Sequence, residues 1–227
     1  MPEYSKIDLH THSNRSDGEL SPGDLINKAS TNGIKMMALT DHDTISGLKD
    51  ANEAAIKHNI KLINGIELST QWENRAIHIV GLNIDIENKL LIEACEDLSI
   101  LRKERAIKIG QKLSDAGIDG AYEYVKKIST SENITRYHFA KFLVERKYAK
   151  NHADVFKRFL VKNKPGYFSP KWPELSETIN TIKAANGVAV IAHPLRYKMT
   201  ATKLSKLIKE FKNLGGMAIE VITSHDI

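Results

Sequence analysis

The chain has 227 residues, of which 41% are hydrophobic and 27% charged, and it carries a formal net charge of +5. That length supports a sizeable core, as one large domain or one domain with a subdomain, and the composition excludes a disordered or fibrous chain. No apolar run is long enough to cross a bilayer, the start MPEYSKIDLH has no signal-peptide core, and a lone cysteine excludes an intrachain disulfide. A cytoplasmic protein with no membrane contact and no obligate protein partner is expected. Cys95, inside the helical pattern LLIEACEDLSIL, reads as a small buried hydrophobe. The lysines are scattered, so charge by itself does not define a nucleic-acid surface.

Lys6 to Leu9 reads as a short strand. Ser21-Pro22 then opens a helix, with Ser21 as N-cap, Pro22 in the first turn and Gly33 as the stop. Ile34 to Leu39 is a buried strand, and Thr44 to His58 has apolar residues at helical spacing. Lys61–Ile63, Ile66–Leu68 and Ala76–Ile84 are further strand segments. From Glu87 to about Phe159 three or four helices follow with almost no strand signal, the longest from Leu90 to Ala116. Alternation resumes with a strand at Val188–Ala192, a helix at Thr202–Asn213 and a strand at Met217–Ile222. Strands alternating with helices predict a parallel α/β sheet or barrel, and the helical block reads as an insertion capping one end of it. The expected division is a barrel first part at 1–86, a helical cap at 87–165 and a barrel second part at 166–227.

Polar residues fall where these apolar runs end. His10 and His12 follow the first strand, His42 follows the second, Glu67 sits near the end of the third, His78 lies within the fourth, and His193 follows VAVIA. The C-terminal edge of a parallel sheet is where active sites are built. Imidazole and carboxylate are the usual ligands of zinc, manganese and iron. One His-x-His pair is a weak signal, because surface pairs are common, but so many placed at strand ends point to metal binding. The set exceeds the needs of one ion, which predicts two or three divalent ions, with Glu67 suited to bridging a pair. No GxSxG or Walker A pattern is present.

The run DLHTHSNRSDG, followed in order by LTDHDT, GIELS, IHIVGL and IAHP, resembles the PHP (polymerase and histidinol phosphatase) family over nearly the whole chain. Within it, the length, the insertion beginning LRKERAIKIGQKL and the segment ITRYHFAKFLVERKY resemble the bacterial stand-alone group acting on nucleoside 3′,5′-bisphosphates and the 5′ ends of short RNAs. The resemblance implies a distorted (β/α)7 barrel holding up to three divalent ions. By motif, His10, His12 and Glu67 would hold one ion, Glu67, His78 and His193 a second, and Asp17 with His42 a third. Asp17, His42, Glu67 and His193 are then the expected catalytic residues. Arg136 and His138 match positions that face the substrate phosphate in this group. Lys164, Tyr167 and His225 are further candidates for the cleft, His225 because it follows the IEVI strand. Asp41 is placed to orient a ligand, and Asp43 to cap the next helix.

Family members continue to a late Asp-x-His motif, whereas this sequence ends Ser224-His225-Asp226-Ile227. A C-terminally truncated chain is expected on that ground, with the first and third ion sets each short of one ligand. The leading expectation is a phosphoesterase acting on nucleotides or short RNA. A histidinol-phosphatase type of small-metabolite phosphatase, or a non-catalytic metal-binding domain, are the alternatives.

Overall fold

The computed structural model describes residues 6–129 and 133–221. Six strands form one sheet in sequence order: β1 (Lys6–Thr11), β2 (Ile34–Leu39), β3 (Lys61–Trp72), β4 (Arg75–Leu82), β5 (Val188–Ile191) and β6 (Ala218–Ile219). β1, β2 and β3 are parallel, β4 is antiparallel to both β3 and β5, and β6 is parallel to β5. The sheet curls into a half-barrel, so that Glu220, just after β6, meets His10 of β1.

The antiparallel β4 departs from the expected parallel alternation, and its cause is local. β3 does not stop at Leu68 but runs on to Trp72, and Glu73-Asn74 join Trp72 to its partner Arg75 with φ of 47° and 60°. Two successive left-handed residues make the tight turn whose twist suits a hairpin. β4 therefore comes back alongside β3 and presents residues from its middle to the site.

The helices are α1 (Pro22–Thr31), α2 (Leu48–His58), α3 (Lys89–Asp115), α4 (Ala121–Ile128), α5 (Arg136–Glu145), α6 (His152–Val155), α7 (Leu175–Ala184) and α8 (Ala201–Asn213); a π-helical turn Phe156–Leu160 continues α6. α1 starts as its sequence predicts: the Ser21 hydroxyl accepts the Asp24 N–H, and Gly33 takes φ +77° just beyond the end. α2 begins four residues later than Thr44, because Asp43 is left-handed (φ +54°) and a turn closed by Leu48 N–H donating to Ile45 O (3.0 Å) comes first. α7, which lies against β3, β4 and β5, is an element the sequence reading did not single out.

Apart from a small cluster of Val80, Val190 and Ala192, two apolar cores lie among the described residues. One joins the sheet to α1, α2, α7, α8 and the start of α3, through Ile26, Leu48, Ile66, Ile79, Leu91 and Ile179. The other lies within the helical block, around Ile109, Leu113, Phe139, Leu143 and Leu160. α3 belongs to both, so this long helix fixes the block against the sheet. Cys95 packs against the first core, where burial pushes its thiol up to about 12. Among the described residues no helix is long and apolar enough to cross a membrane.

Candidate metal centre and active site

Glu67 is the centre of the cluster. Its side chain is 1% exposed, and β3 delivers it onto the concave face of the sheet. Directly opposite residues of an antiparallel pair share a face, as do residues two apart on one strand. Ser69 is paired with His78, so Glu67, Ser69 and His78 point the same way. Alternation along β1 likewise puts His10 and His12 together. His42 arrives from the loop after β2, held by Asp43 N–H donating to Glu67 O (2.9 Å) and Glu67 N–H donating to Asp41 O (3.2 Å). His193 follows β5 in a left-handed conformation, φ +30°, a strained placement for a residue with a side chain.

Five imidazoles converge on this one carboxylate. His78 Nδ1 and His193 Nε2 lie 2.9 and 2.8 Å from Glu67 Oε1. On Oε2, His10 Nε2, His12 Nε2 and His42 Nδ1 lie at 3.2, 3.3 and 3.0 Å. Asp17, from the loop after β1, stands 3.4 Å from His42 Nε2 and 3.7 Å from His12 Nδ1. The structure thus brings together all seven residues expected to bind metal. They line a cavity of about 610 Å³.

The donor atoms suit cations better than they suit one another. His42 Nδ1 and Glu67 Oε2 are buried and 3.0 Å apart, yet neither makes a hydrogen bond. Donor atoms at such separations form the edge of a coordination polyhedron with bonds of ~2.1 Å. His10–His12–Glu67, His12–Asp17–His42 and His42–Glu67–His78 each place their ligand atoms within 4.8 Å of one another. His12 and His42 are each shared between two such groups, so the sets differ somewhat from the three implied by the family motif.

Charge is arranged to match. Burial opposes ionisation of Glu67, but the charge of His42 beside it holds its carboxyl well below the usual carboxylate range. At His10 burial is overcome by the hydrogen bond to Glu220 and by the negative charges of Glu67 and Glu220, which push its pKa up to about 10. His42 is buried too, and the charges of Glu67 and Asp17 carry it up to about 9. His78 goes the other way: burial takes it down to about 4, so it stays a neutral imidazole with a lone pair. Protons held here in the absence of metal are the ones that incoming cations displace.

Glu220 is the residue the sequence reading missed. Its Oε1 accepts from His10 Nδ1 (2.5 Å) and its Oε2 from the His193 backbone N–H (2.6 Å). With an ion bound, the proton kept on Nδ1 would leave the His10 Nε2 lone pair free to ligate it, which is how a carboxylate orients a metal-binding histidine. The signal was in plain view, a carboxylate directly after the apolar start of the run AIEVI.

Two neighbouring carboxylates organise the site without entering it. Buried Asp41 accepts from Ser13 N–H (2.7 Å), Ser13 hydroxyl (2.6 Å) and Ser16 hydroxyl (2.7 Å), and so shapes the loop between His12 and Asp17. Asp43 does not cap α2, whose N-cap is Gly47. It accepts from Arg102 Nε (2.5 Å) and from the Ser69 N–H (2.5 Å), and it is the Arg102 charge that outweighs burial and keeps its carboxyl below the ordinary range. Arg102 and Asp43 are each 1% exposed. Removing one partner of a buried pair leaves an uncompensated charge. Arg102→Leu is therefore expected to destabilise the fold by about 3–5 kcal/mol, measured by urea unfolding; a loss under 1 kcal/mol would contradict the pairing.

Beside the cluster lies a second cavity of about 520 Å³, which shares Asp17, His42, His78, Arg136, Phe156 and Arg196 with the first. Arg102, Arg105, Arg136 and Arg196 line it. Of the other expected substrate residues, His138 lines neither cavity: its Nδ1 accepts the Thr135 N–H (3.0 Å) and closes the start of α5. Lys164 is exposed in a turn outside both cavities, while Tyr167 interacts electrostatically with Arg136. His225 lies outside the described residues.

An anionic centre surrounded by imidazoles, next to an arginine-lined recess, is the site of a metal-dependent phosphoesterase. The chain belongs to the PHP domain family, which matches residues 8–224. It is 44% identical over 216 residues to a 5′-3′ exoribonuclease of Haemophilus influenzae, an alignment covering 95% of this chain and 78% of that one. It is also 40% identical to a 3′,5′-nucleoside bisphosphate phosphatase of Chromobacterium violaceum, covering 98% and 79%. Among solved structures, an amidohydrolase from Chromobacterium violaceum with bound sulfate and no metal superposes with a TM-score of 0.92 at 40% identity, over 95% of this chain and 76% of that one.

Proposed function

We propose that this enzyme hydrolyses phosphate esters of nucleotides that carry a second phosphate, as nucleoside 3′,5′-bisphosphates and as the 5′ ends of short RNA. The observation that carries this reading is the arginine recess. Arg105 and Arg136 form no ion pair with any described residue, and they lie instead over the rings of Trp172 (5.1 Å) and Phe156 (5.6 Å). Burial lowers both guanidinium pKa values, reinforced by the charges of Arg102 and Arg136 at Arg105 and of Arg102 at Arg136. Cations crowded into a low-dielectric recess gain most from an anion, and a guanidinium fork matches two phosphate oxygens. The recess opens onto the histidine cluster, so a substrate with phosphates at both ends of one ribose spans the two. The names of the Haemophilus and Chromobacterium relatives point to the same chemistry.

On this reading His10, His12, Asp17, His42, Glu67, His78 and His193 hold two or three divalent ions, for which manganese, iron and zinc are all suitable. Ions held there would supply a hydroxide nucleophile and stabilise charge on the ester oxygens. Glu67 offers one oxygen to each side of the cluster, Glu220 holds His10 in its binding tautomer, and Arg136 and Arg105 seat the second phosphate. Asp17 and His42, at the junction of the cavities, face the ester to be cut. We read the fold as a distorted (β/α)7 barrel, with residues 87–165 as a cap that carries the arginines over the site.

The test is phosphate release, with manganese present, from adenosine 3′,5′-bisphosphate, histidinol phosphate and 5′-AMP. Release from the bisphosphate with the other two slow is the expected result. Release chiefly from histidinol phosphate would overturn the nucleotide assignment.

A further inference from the structure

Residues 137–171 contain nine lysines and arginines against two carboxylates, Glu145 and Asp154, an excess larger than the +5 of the whole chain. Both carboxylates are engaged locally. Glu145 accepts from the Tyr124 hydroxyl, and Asp154 accepts from Arg158 (3.3 Å) and from the Lys150 N–H (3.1 Å). Lys147, Lys150 and Lys157 are exposed and make no ion pair with a described residue. Lys147 and Lys150 do not sit on a flat face: with Arg158 they line a depression of about 590 Å³ together with Tyr148, which is 39% exposed, and Lys157 is next to Arg158 in the chain.

This depression and the arginine recess are two sides of one short segment. His152, Ala153 and Phe156 line the recess, while Lys150, Asp154 and Arg158, interleaved with them in sequence, line the depression. Exposed lysines with an accessible aromatic ring are what a single strand of nucleic acid requires: point charges for successive phosphates and a face for a base. A small bisphosphate, seated wholly inside, would not reach this surface.

We propose that the Lys147–Arg158 surface binds the body of an RNA strand whose 5′ end occupies the active site. This extends the function proposed above, and it assigns polymer binding and ester hydrolysis to separable residues. The lysines give affinity without base preference, because they meet phosphates and not base edges.

The test is anisotropy of a labelled, 5′-phosphorylated oligoadenylate, with divalent ions chelated so that no strand is cut, over a range of salt. A triple variant K147E/K150E/K157E is expected to bind at least about tenfold more weakly and to show a shallower salt slope, by ~0.7 for each phosphate the variant no longer engages. Its turnover of adenosine 3′,5′-bisphosphate should equal that of the unmodified enzyme. A control with the same charge change on other surfaces, K49E/K57E/K209E, should bind RNA normally. Unchanged RNA affinity in the first variant, or an equal loss in the control, would overturn the proposal. So would displacement by polyglutamate as effective as by RNA. Loss of bisphosphate turnover in the first variant would place these lysines in the site and overturn the separation. If the unmodified enzyme binds RNA in this way yet cleaves no bisphosphate, the failure lies with the catalytic reading and not with the surface.

Discussion

Glu67→Gln is expected to lower phosphate release by roughly a thousandfold or more, with at least one metal ion lost per chain. Glutamine keeps the shape of the side chain but removes the negative charge on which five imidazoles converge. It also brings an amide NH2 into a position surrounded by nitrogen lone pairs, where no cation can share it. The carboxylate is buried and held ionised by its neighbours, so its field is little screened. The same substitution removes an anion flanked by groups that hold protons in the absence of metal, so unfolding should be followed alongside activity. Metal content by elemental analysis and turnover at saturating manganese are the measurements. A variant that keeps its full complement of ions would sink the central role given to Glu67.

Removing the arginines should act on the substrate and leave the ions in place. Arg136→Ala is expected to reduce kcat/KM for adenosine 3′,5′-bisphosphate about a hundredfold, the equivalent of about 2.7 kcal/mol, which is the scale of a lost two-point charged hydrogen bond. Arg105→Ala should fall in the same range. Neither should change turnover of adenosine 3′-monophosphate much, because that ester has no second phosphate to seat. Lysine at position 136 restores charge but not the planar fork, so it should recover only part of the loss. Arg105 also packs over Trp172, and a urea midpoint separates lost packing from lost recognition. Equal losses on both substrates would contradict the assignment of the recess to the second phosphate.

Much of the site was legible because its logic is carried by position along the chain. His10, His12, His42 and His193 each stand where an apolar run meets the open edge of the sheet, and the structure brings them to one carboxylate. The ends of α1 were equally readable, since Ser21, Pro22 and Gly33 act through their own backbone and near neighbours. What depends on distant partners was not. The direction of β4 rests on two left-handed residues, of which Asn74 is a common turn former and Glu73 is not. Asp43 sits where a helix cap would, and only the fold shows that its partner is Arg102, 59 residues away. His138 follows a threonine at capping distance, and its Nδ1 is used in that local bond. Glu220 carried the same signal as the histidines, but its role depends on the curl of the sheet that brings β6 back to His10.

The most direct test of the central claim is an anomalous difference map from a crystal soaked in manganese. The account predicts at least two peaks flanking Glu67, one beside His10 and His12 and another beside His78 and His193. Peaks elsewhere, or none bonded to Glu67, would contradict it.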